Sequence, residues 1–600
     1  MKSLLLSIQP WGLMVMISIL SSCGQNTAQK DVIQLAYQDN QTVTYQQAID
    51  KYKKLDQTFE SAKLLESGST DAGKPFHLFV ISADKEFQPH TIHQKNKRVL
   101  LINNGVHPGE PCGIDASLQF ANDILLNKDG MGRYLEHTVI CIVPVYSVGG
   151  ALQRTPYIRS NQYGPKERGR RGNRRNLDLN RDYAKQDSRN AQSLASVFQT
   201  WQPDVFLDTH TTNGSDHQHT ITLIPVQPSS FPGVLENFLR DSMLPALYQG
   251  MKQTPYEMIP YVVFNNRNPE NGIISYMQSP RVSTGYAQMF NVLGFMTENH
   301  VYKPYPDRVQ SLYHFIRELT AFTNAHSNMI RDLRAQAQEK TRKKKTYTLE
   351  YKLDSSRSRP LHFMGYKKGM VTSKLTGLKY KDYDHSKPFE DTIPFFSHYK
   401  PARQVKAPDY YLIPQAWRHV IKRMKINGTR MRRLKTDTVL KVQAYYITDH
   451  DQMNRSYQGR YYHNHVEIQK QQEALPFYQG DYIVPVDQIR NEYIVQMLEP
   501  KGKDSFFRWA FFDPCLERRD WNHAGVRFEK NARHYLEHHP ELREKYMKKK
   551  NQDPEFAGNH QAHLEYIFEH SQWSKDIRGR YPVARIEQAP KMKKLWQIGE

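Results

Sequence analysis

Four short segments of this 600-residue chain carry side chains that could do chemistry together. The run Asn103-Asn104-Gly105-Val106-His107-Pro108-Gly109-Glu110 sets a histidine and a glutamate three residues apart on a loop after a strand-like stretch. Imidazole nitrogen and carboxylate oxygen are both good zinc donors, and this spacing lets His107 and Glu110 reach one ion. Asp208-Thr209-His210-Thr211-Thr212-Asn213-Gly214 follows the apolar run Val205-Phe206-Leu207 and offers His210 as a third ligand from a neighbouring strand end. Two histidines and one carboxylate leave a fourth position for water or substrate, the open arrangement of a catalytic zinc site. Between them lies Asn176-Leu177-Asp178-Leu179-Asn180-Arg181-Asp182-Tyr183, and Phe295-Met296-Thr297-Glu298-Asn299-His300 closes the series. The His-x-x-Glu pattern alone decides little, because a chain with 25 histidines and 61 acidic residues should contain it by chance.

Order and spacing are more specific. HPGE, DLNRD, DTH and an apolar strand ending in TEN, spread over about 190 residues, resemble the zinc carboxypeptidase family, the funnel-shaped metallocarboxypeptidases. The likeness runs from about residue 35 to 330, and it is closest to the bacterial lipoprotein branch that carries a long C-terminal extension. It implies a mixed-sheet α/β/α domain that holds one zinc per chain through His107, Glu110 and His210. Glu298 matches the family's general base towards the attacking water and general acid to the leaving amine. Such a carboxylate works best where water is scarce, which Phe295-Met296 beside it suit. Asn180 and Arg181 match the pair that grips the substrate's terminal carboxylate, for which the planar arginine fork is well shaped. Asp178 matches a carboxylate that orients His107 through its other ring nitrogen.

Two family roles have several claimants. For the arginine that stabilises the oxyanion, Arg159, Arg171, Arg174 and Arg175 compete, and Arg171 in its Arg-Gly-Asn context is preferred. For the mobile tyrosine that closes over substrate, Tyr276 has a suitable spacing and Tyr286 is its rival. The interval Ser279 to Gly285, where the family lines its side-chain pocket, contains no acidic residue, which disfavours a C-terminal Lys or Arg. Arg281 in that interval could favour an acidic terminal group or be structural.

These residues need a scaffold, and the chain supplies one. Phe76 to Ile81, Arg98 to Asn103, Thr138 to Val145, Val205 to Asp208 and His219 to Pro225 read as strands. Ala116 to Leu126 and Asn190 to Trp201 show helical spacing, and alternation of the two points to an α/β domain over 35–338. Gln310 to Gln338 reads as one long helix before the basic run Lys340 to Lys345, where the boundary falls. Residues 346–525, rich in Tyr, Val, Ile and turn formers, suggest a β-rich accessory domain, with a charged helical segment over 526–600. The aromatic run Asp504 to Asp513 is read as packing, and Tyr461-Tyr462-His463-Asn464-His465 fits either a metal site or an exposed strand of alternating polar and aromatic residues.

The N-terminus has another character. Met1-Lys2, an apolar region peaking at Leu13 to Leu20, and Leu20-Ser21-Ser22-Cys23-Gly24 resemble a lipoprotein signal over 1–23 with acylation at Cys23, followed by a tether over 24–34. The expectation is an exported protein lipid-anchored to the bacterial cell envelope, on its periplasmic or outer-membrane face. Cys112, Cys141 and Cys515 are too few for a disulfide framework, and Cys112 and Cys141 are read as packing. The formal charge of +22, drawn from runs such as Arg168 to Arg175 and Lys548 to Lys550, comes without any nucleic-acid-binding signature. The function expected is hydrolysis of a peptide bond next to a free C-terminal carboxylate. Two alternatives stand beside it: a zinc amidase or deacylase on envelope peptides or N-acyl amino acids, and a non-catalytic binding lipoprotein.

Overall fold

The computed structural model describes residues 31–212, 214–267, 269–517, 526–574 and 579–587; the signal segment, Cys23 and most of the expected tether lie outside them. In the N-terminal half, an eight-stranded mixed sheet is built from β1 (Ala62–Ser69), β2 (Pro75–Ile81), β3 (Arg98–Asn103), β4 (Thr138–Val143), β5 (Val205–Thr212), β6 (Ile221–Pro225), β7 (Met258–Pro260) and β9 (Leu293–His300), with β8 (Ile273–Ile274) lying outside it. The spatial order is β1-β2-β4-β3-β5-β9-β6-β7. The four strands β4, β3, β5 and β9 run parallel. They read as continuous apolar runs because a parallel sheet is covered on both faces.

Side-chain alternation along β5 shows what covers each face. Thr209 lies under Gly113 of the helix Cys112–Leu125, so close that a Cβ on Gly113 would meet its Oγ1 at 2.0 Å. Phe206 points the other way, its ring 5.6 Å from Phe198 of the helix Arg189–Trp201. His210 shares the Phe206 face, so it belongs to the side on which the chain builds its site.

Three sequence expectations need correction. Residues 31–34 are held on the fold, since the amides of Val32 and Ile33 donate to Asn122 Oδ1 and Ile33 is buried. The long helix is two, Tyr305–Ala325 and Ser327–Lys343, broken at His326 (φ −106°, ψ 21°), whose ring stacks on Phe322 at 4.0 Å. The segment after 526 is helical but returns as a strand, Ala584–Ile586, inserted between two strands of the C-terminal half.

That half contains the pair β10 (Thr346–Leu353) and β13 (Tyr399–Lys406), and the long hairpin β11 (Arg359–Thr372) and β12 (Lys379–Phe396). A six-stranded sheet is made of β14 (Tyr410–Ile413), β15 (Arg432–Arg433), β16 (Thr438–Gln452), β17 (His463–Phe477), β18 (Tyr482–Pro485) and β19 (Ala584–Ile586). Phe506, Phe507, Trp509 and Phe512 are fully buried, as packing requires, and Tyr462 and His463 are buried rather than exposed. Among the described residues no helix is long and apolar enough to cross a membrane.

Candidate active site

Three adjacent strands deliver the site. β3 ends at Asn103, and Gly105 turns the chain at φ +65°, a conformation that strains any other residue and where a Cβ would stand 3.3 Å from Ile114 and Val145. The loop beyond carries His107 and Glu110. β5 runs four residues past the expected end at Asp208, so His210 sits on the strand itself. There it pairs in register with Glu298 of β9, and Met296 pairs with Asp208, placing all four on one face.

His107 Nδ1, His210 Nδ1 and Glu110 Oε2 form a triangle with all three edges 3.2 Å. Donors about 2.0–2.1 Å from a tetrahedral zinc stand ~3.3 Å apart, so the residues fit that ion. His107 Nε2 lies 2.8 Å from Asp178 Oδ1 and His210 Nε2 3.0 Å from Asp208 Oδ2, so a carboxylate anchors each ring through one nitrogen and turns its Nδ1 toward Glu110, the orientation in which it would bind a metal. Burial opposes charge on His210, yet Asp208 and Glu110 outweigh it and raise its pKa well above the imidazole range. Burial likewise acts to raise the pKa of Glu110, but His107 and Arg159 hold it well below the carboxylate range.

The surroundings lock Glu110. Its Oε2 accepts from the Thr211 amide (2.9 Å), and its Oε1 from Arg159 Nη1 (2.6 Å) and Arg171 Nη1 (3.3 Å). The two arginines differ in freedom. Arg159 also donates to Gln162 Oε1 and the Thr211 carbonyl and does not border the cleft, whereas Arg171 is half-exposed and lines it. Arg175 donates to the Asp187 carbonyl, and neither it nor the exposed Arg174 lines the cleft.

That cleft has a volume of about 290 Å³. Besides the triangle it is walled by Arg171, Asn180, Arg181, Tyr276, Gln278 and Glu298, with Ile224, Tyr261, Val282 and Met296 on its apolar side. Asp178 caps the short turn that follows it by accepting from the Asn180 amide (2.9 Å), which sets Asn180 and Arg181 at the rim. Burial pushes the Glu298 carboxyl up to about 7; His210 opposes this and the charge of Glu110 adds to it. Tyr276 is 43% exposed at the mouth, its ring 5.6 Å from Tyr261. Tyr286 is buried and donates to Asn427 Oδ1, so it plays no part in the cleft.

Arg281 leaves the set of cleft residues. Its Nε donates to the buried Asp504 Oδ1 (2.6 Å), and its guanidinium lies 4.6–5.8 Å from the rings of Tyr457, Tyr462 and Trp509. It joins the two halves and faces no terminal side chain. Cys112 is buried beneath the site, with Sγ 3.4 Å from Thr211 Oγ1. His217 and His219 pack against Phe363, and His300 pairs with Asp216, away from the triangle.

Sequence reasoning missed Asp208. Its Oδ2 also accepts from Tyr183 OH (3.0 Å) and its Oδ1 from Asn103 Nδ2 (3.1 Å), so a buried polar network holds the carboxylate that holds His210. The signal was present, since residues two apart on a strand share a face.

Residues 49–219 match the zinc carboxypeptidase family. The matched segment contains His107, Glu110 and His210 and the Asn180-Arg181 pair; Glu298 lies beyond it. Carboxypeptidase 2 of Trichophyton rubrum is 19% identical over 471 residues, covering 73% of this chain and 78% of that protein. Carboxypeptidase 2 of Trichophyton tonsurans is 23% identical over 143 residues, 24% of this chain and 23% of that protein. Among solved structures, a metallo-carboxypeptidase from Pseudomonas aeruginosa in complex with (2-guanidinoethylmercapto)succinic acid is 14% identical with a TM-score of 0.36, over 48% of this chain and 70% of that one. The family match supports a metallocarboxypeptidase-type hydrolase.

Proposed function

We propose that this chain removes a C-terminal residue from peptides by zinc-assisted hydrolysis. The carrying observation is one cleft that unites a triangle able to hold a metal ion, a buried carboxylate whose pKa is pushed up to about 7 and the Asn180-Arg181 pair at the rim. His107, Glu110 and His210 would hold the zinc, which when bound would supply a Lewis acid for the scissile carbonyl. Arg181 and Asn180 bind the free carboxylate, which fixes the substrate's direction and places its last peptide bond over Glu298. Glu298 takes the proton from the attacking water and returns it to the leaving amine nitrogen, a shuttle suited to a pKa of about 7. Arg171 is the cleft-facing cation beside the reacting carbonyl, and Tyr276 closes the mouth. The apolar wall of Ile224, Val282, Met296 and Tyr261 favours an apolar terminal side chain. The acidic preference entertained for Arg281 loses its carrier.

The same groups would serve an N-acyl amino acid, so the test compares both substrate classes. Wild type and Glu298→Gln are assayed for zinc content and for cleavage of C-terminally varied peptides and N-acyl amino acids. The expected result is one zinc in each protein, fastest release of apolar residues by wild type, and a loss of about 10²–10⁴-fold in the variant. Preferential turnover of N-acyl amino acids would move the assignment to a deacylase, and absence of zinc after reconstitution would overturn both readings. The proposal also keeps the acylated Cys23 and an envelope location, supported by the Leu20-Ser21-Ser22-Cys23 sequence.

A further inference from the structure

The β11–β12 hairpin has a root and a tip built on different principles. At the root, Phe363, Ile393 and Phe395 are buried with Ile259, Val262, Phe264 and Ile273 of the N-terminal half. His217 bridges Gly365, and the Gln218 amide donates to the Met364 carbonyl (3.0 Å). Beyond Gly365 the ladder continues from Lys367 opposite Asp384 to Thr372 opposite Lys379, and Lys368 Nζ reaches back to 5.6 Å from the Phe264 ring. Eight residues at ~3.3 Å each carry the turn about 25 Å past the root.

A bare hairpin in water should be polar at its end. This one exposes Met370 (58%), Val371 (39%), Leu375 (93%), Leu378 (70%) and Tyr380 (48%). Interleaved with them are Lys367, Lys368, Lys374, Lys379 and Lys381, all exposed, and the stretch 367–382 has one acidic residue, Asp382. Among the described residues none of these five lysines is in an ion pair. The lysines are scattered along the sequence, so they do not stand out as a charge run, and only the pairing of the strands gathers them at one end.

We propose that this tip docks on an anionic lipid surface, its apolar side chains entering the boundary between headgroups and acyl chains and its lysines resting among the phosphates. Lysine stems are apolar and let the ammonium groups stay at headgroup level while the tip goes deeper. Lys368, Lys379 and Lys381 share one face of the hairpin with Met370, while Val371 and Tyr380 lie on the other with Lys367, Asp382 and Asp384, so an excess of positive charge sits beside exposed apolar residues, which fits a surface of opposite charge. Each lysine near such a surface is worth about fivefold in binding.

The test uses the full chain with an environment-sensitive fluorophore on Leu375→Cys, and on Ser355→Cys as a water-facing control. Label at the tip reports its own surroundings, whatever else attaches the protein to the vesicle. On vesicles of phosphatidylcholine with added phosphatidylglycerol, the label at 375 should shift to the blue and be quenched by lipid-borne quencher, while that at 355 stays as in water. Replacing the five lysines by glutamine should abolish the shift and leave peptide hydrolysis unchanged. A label at 375 that stays water-like on protein-bearing vesicles would overturn the proposal. So would a shift that survives in the glutamine variant, or one produced by soluble protein in the absence of lipid.

Discussion

Replacing Asp208 by asparagine tests whether a zinc ligand is made by the residues behind it. Three donors converge on the carboxylate: His210 Nε2, Tyr183 OH and Asn103 Nδ2. An amide of the same shape offers one oxygen and must point its NH2 group at a former donor. Tyr183 can rotate its hydroxyl and accept, so the packing survives. The negative charge that holds the proton on Nε2, and so keeps Nδ1 free for metal, is gone. Loss of such a supporting carboxylate weakens metal binding by about 10- to 100-fold, equivalent to ~1.4–2.7 kcal/mol. Alanine would be a poorer probe, because Tyr183 and Asn103 would each be left unpaired in the core at ~1–3 kcal/mol apiece. The assay titrates zinc-free protein against a chelator of known affinity, then measures hydrolysis at saturating zinc. Asp208→Asn should bind zinc 10- to 100-fold more weakly and recover most of its kcat once loaded. Unchanged zinc affinity would refute the role given to Asp208, and a kcat that stays low at full loading would show that it acts on the reaction itself.

Asp115 gives a pH test. It is fully buried, accepts from Tyr305 OH, and burial pushes it up to about 6. An unfolded aspartate titrates near ~3.9, so between the two values the folded state binds more proton, and stability must fall as pH rises from about 4 to about 6. Two pKa units correspond to ~3 kcal/mol, and Asp115→Asn should remove that slope in thermal unfolding measured against pH; a slope equal to wild type would refute it. Asp504→Ala should cost ~3–5 kcal/mol in urea unfolding by leaving the Arg281 charge without a partner, and Arg281→Met with Asp504→Leu should regain most of it. If the double variant is no better than the single, the ion pair is not the source of the loss. Cys23→Ser should abolish incorporation of labelled fatty acid and release the protein from a membrane fraction; retained label would end the lipoprotein assignment.

The central strands were legible because a strand buried on both faces is written as an unbroken apolar run, as in Val99 to Ile102 and Val205 to Leu207. The same rule misplaced the end of β5. Asp208 and His210 look like the start of a polar loop, yet they stay on the strand because each polar group finds a buried partner. The choice between Tyr276 and Tyr286 needed burial to decide it. Arg281 could not be read at all, since its partner Asp504 lies 223 residues away. β19 was hidden for a related reason: Arg585 marks its segment as surface, but the residue is 1% exposed and pairs with Glu499.

These long-range partners also show what the C-terminal half does for the cleft. The segment 176–187 that carries Asn180 and Arg181 is held largely from outside the N-terminal half. Gln458 Oε1 accepts from the Asp178 amide (2.8 Å), and Asp187 accepts from Arg460 (2.6 and 2.8 Å) and Arg423 (3.0 Å). Asn427 Nδ2 donates to Gln186 Oε1 while its Oδ1 receives the Tyr286 hydroxyl, tying the carboxylate-gripping segment to the one that forms the apolar wall. Arg281 and Asp504 close the same seam. Burial works to raise the Asp187 pKa, but Arg460, Lys185 and Arg423 together hold it well below the carboxylate range, the mark of a charge made stable only by its neighbours. An N-terminal half alone would keep the His107, Glu110 and His210 triangle with Asp208 behind it, but it would lose Gln458, the partner of the amide of Asp178, which holds His107. It would lose the partners of Asp187 and Arg281, and with them the fixed rim that binds a substrate carboxylate. On the proposed reading, the second half thus supports the substrate-binding segment more than the metal triangle, although none of the groups assigned to the chemistry comes from it.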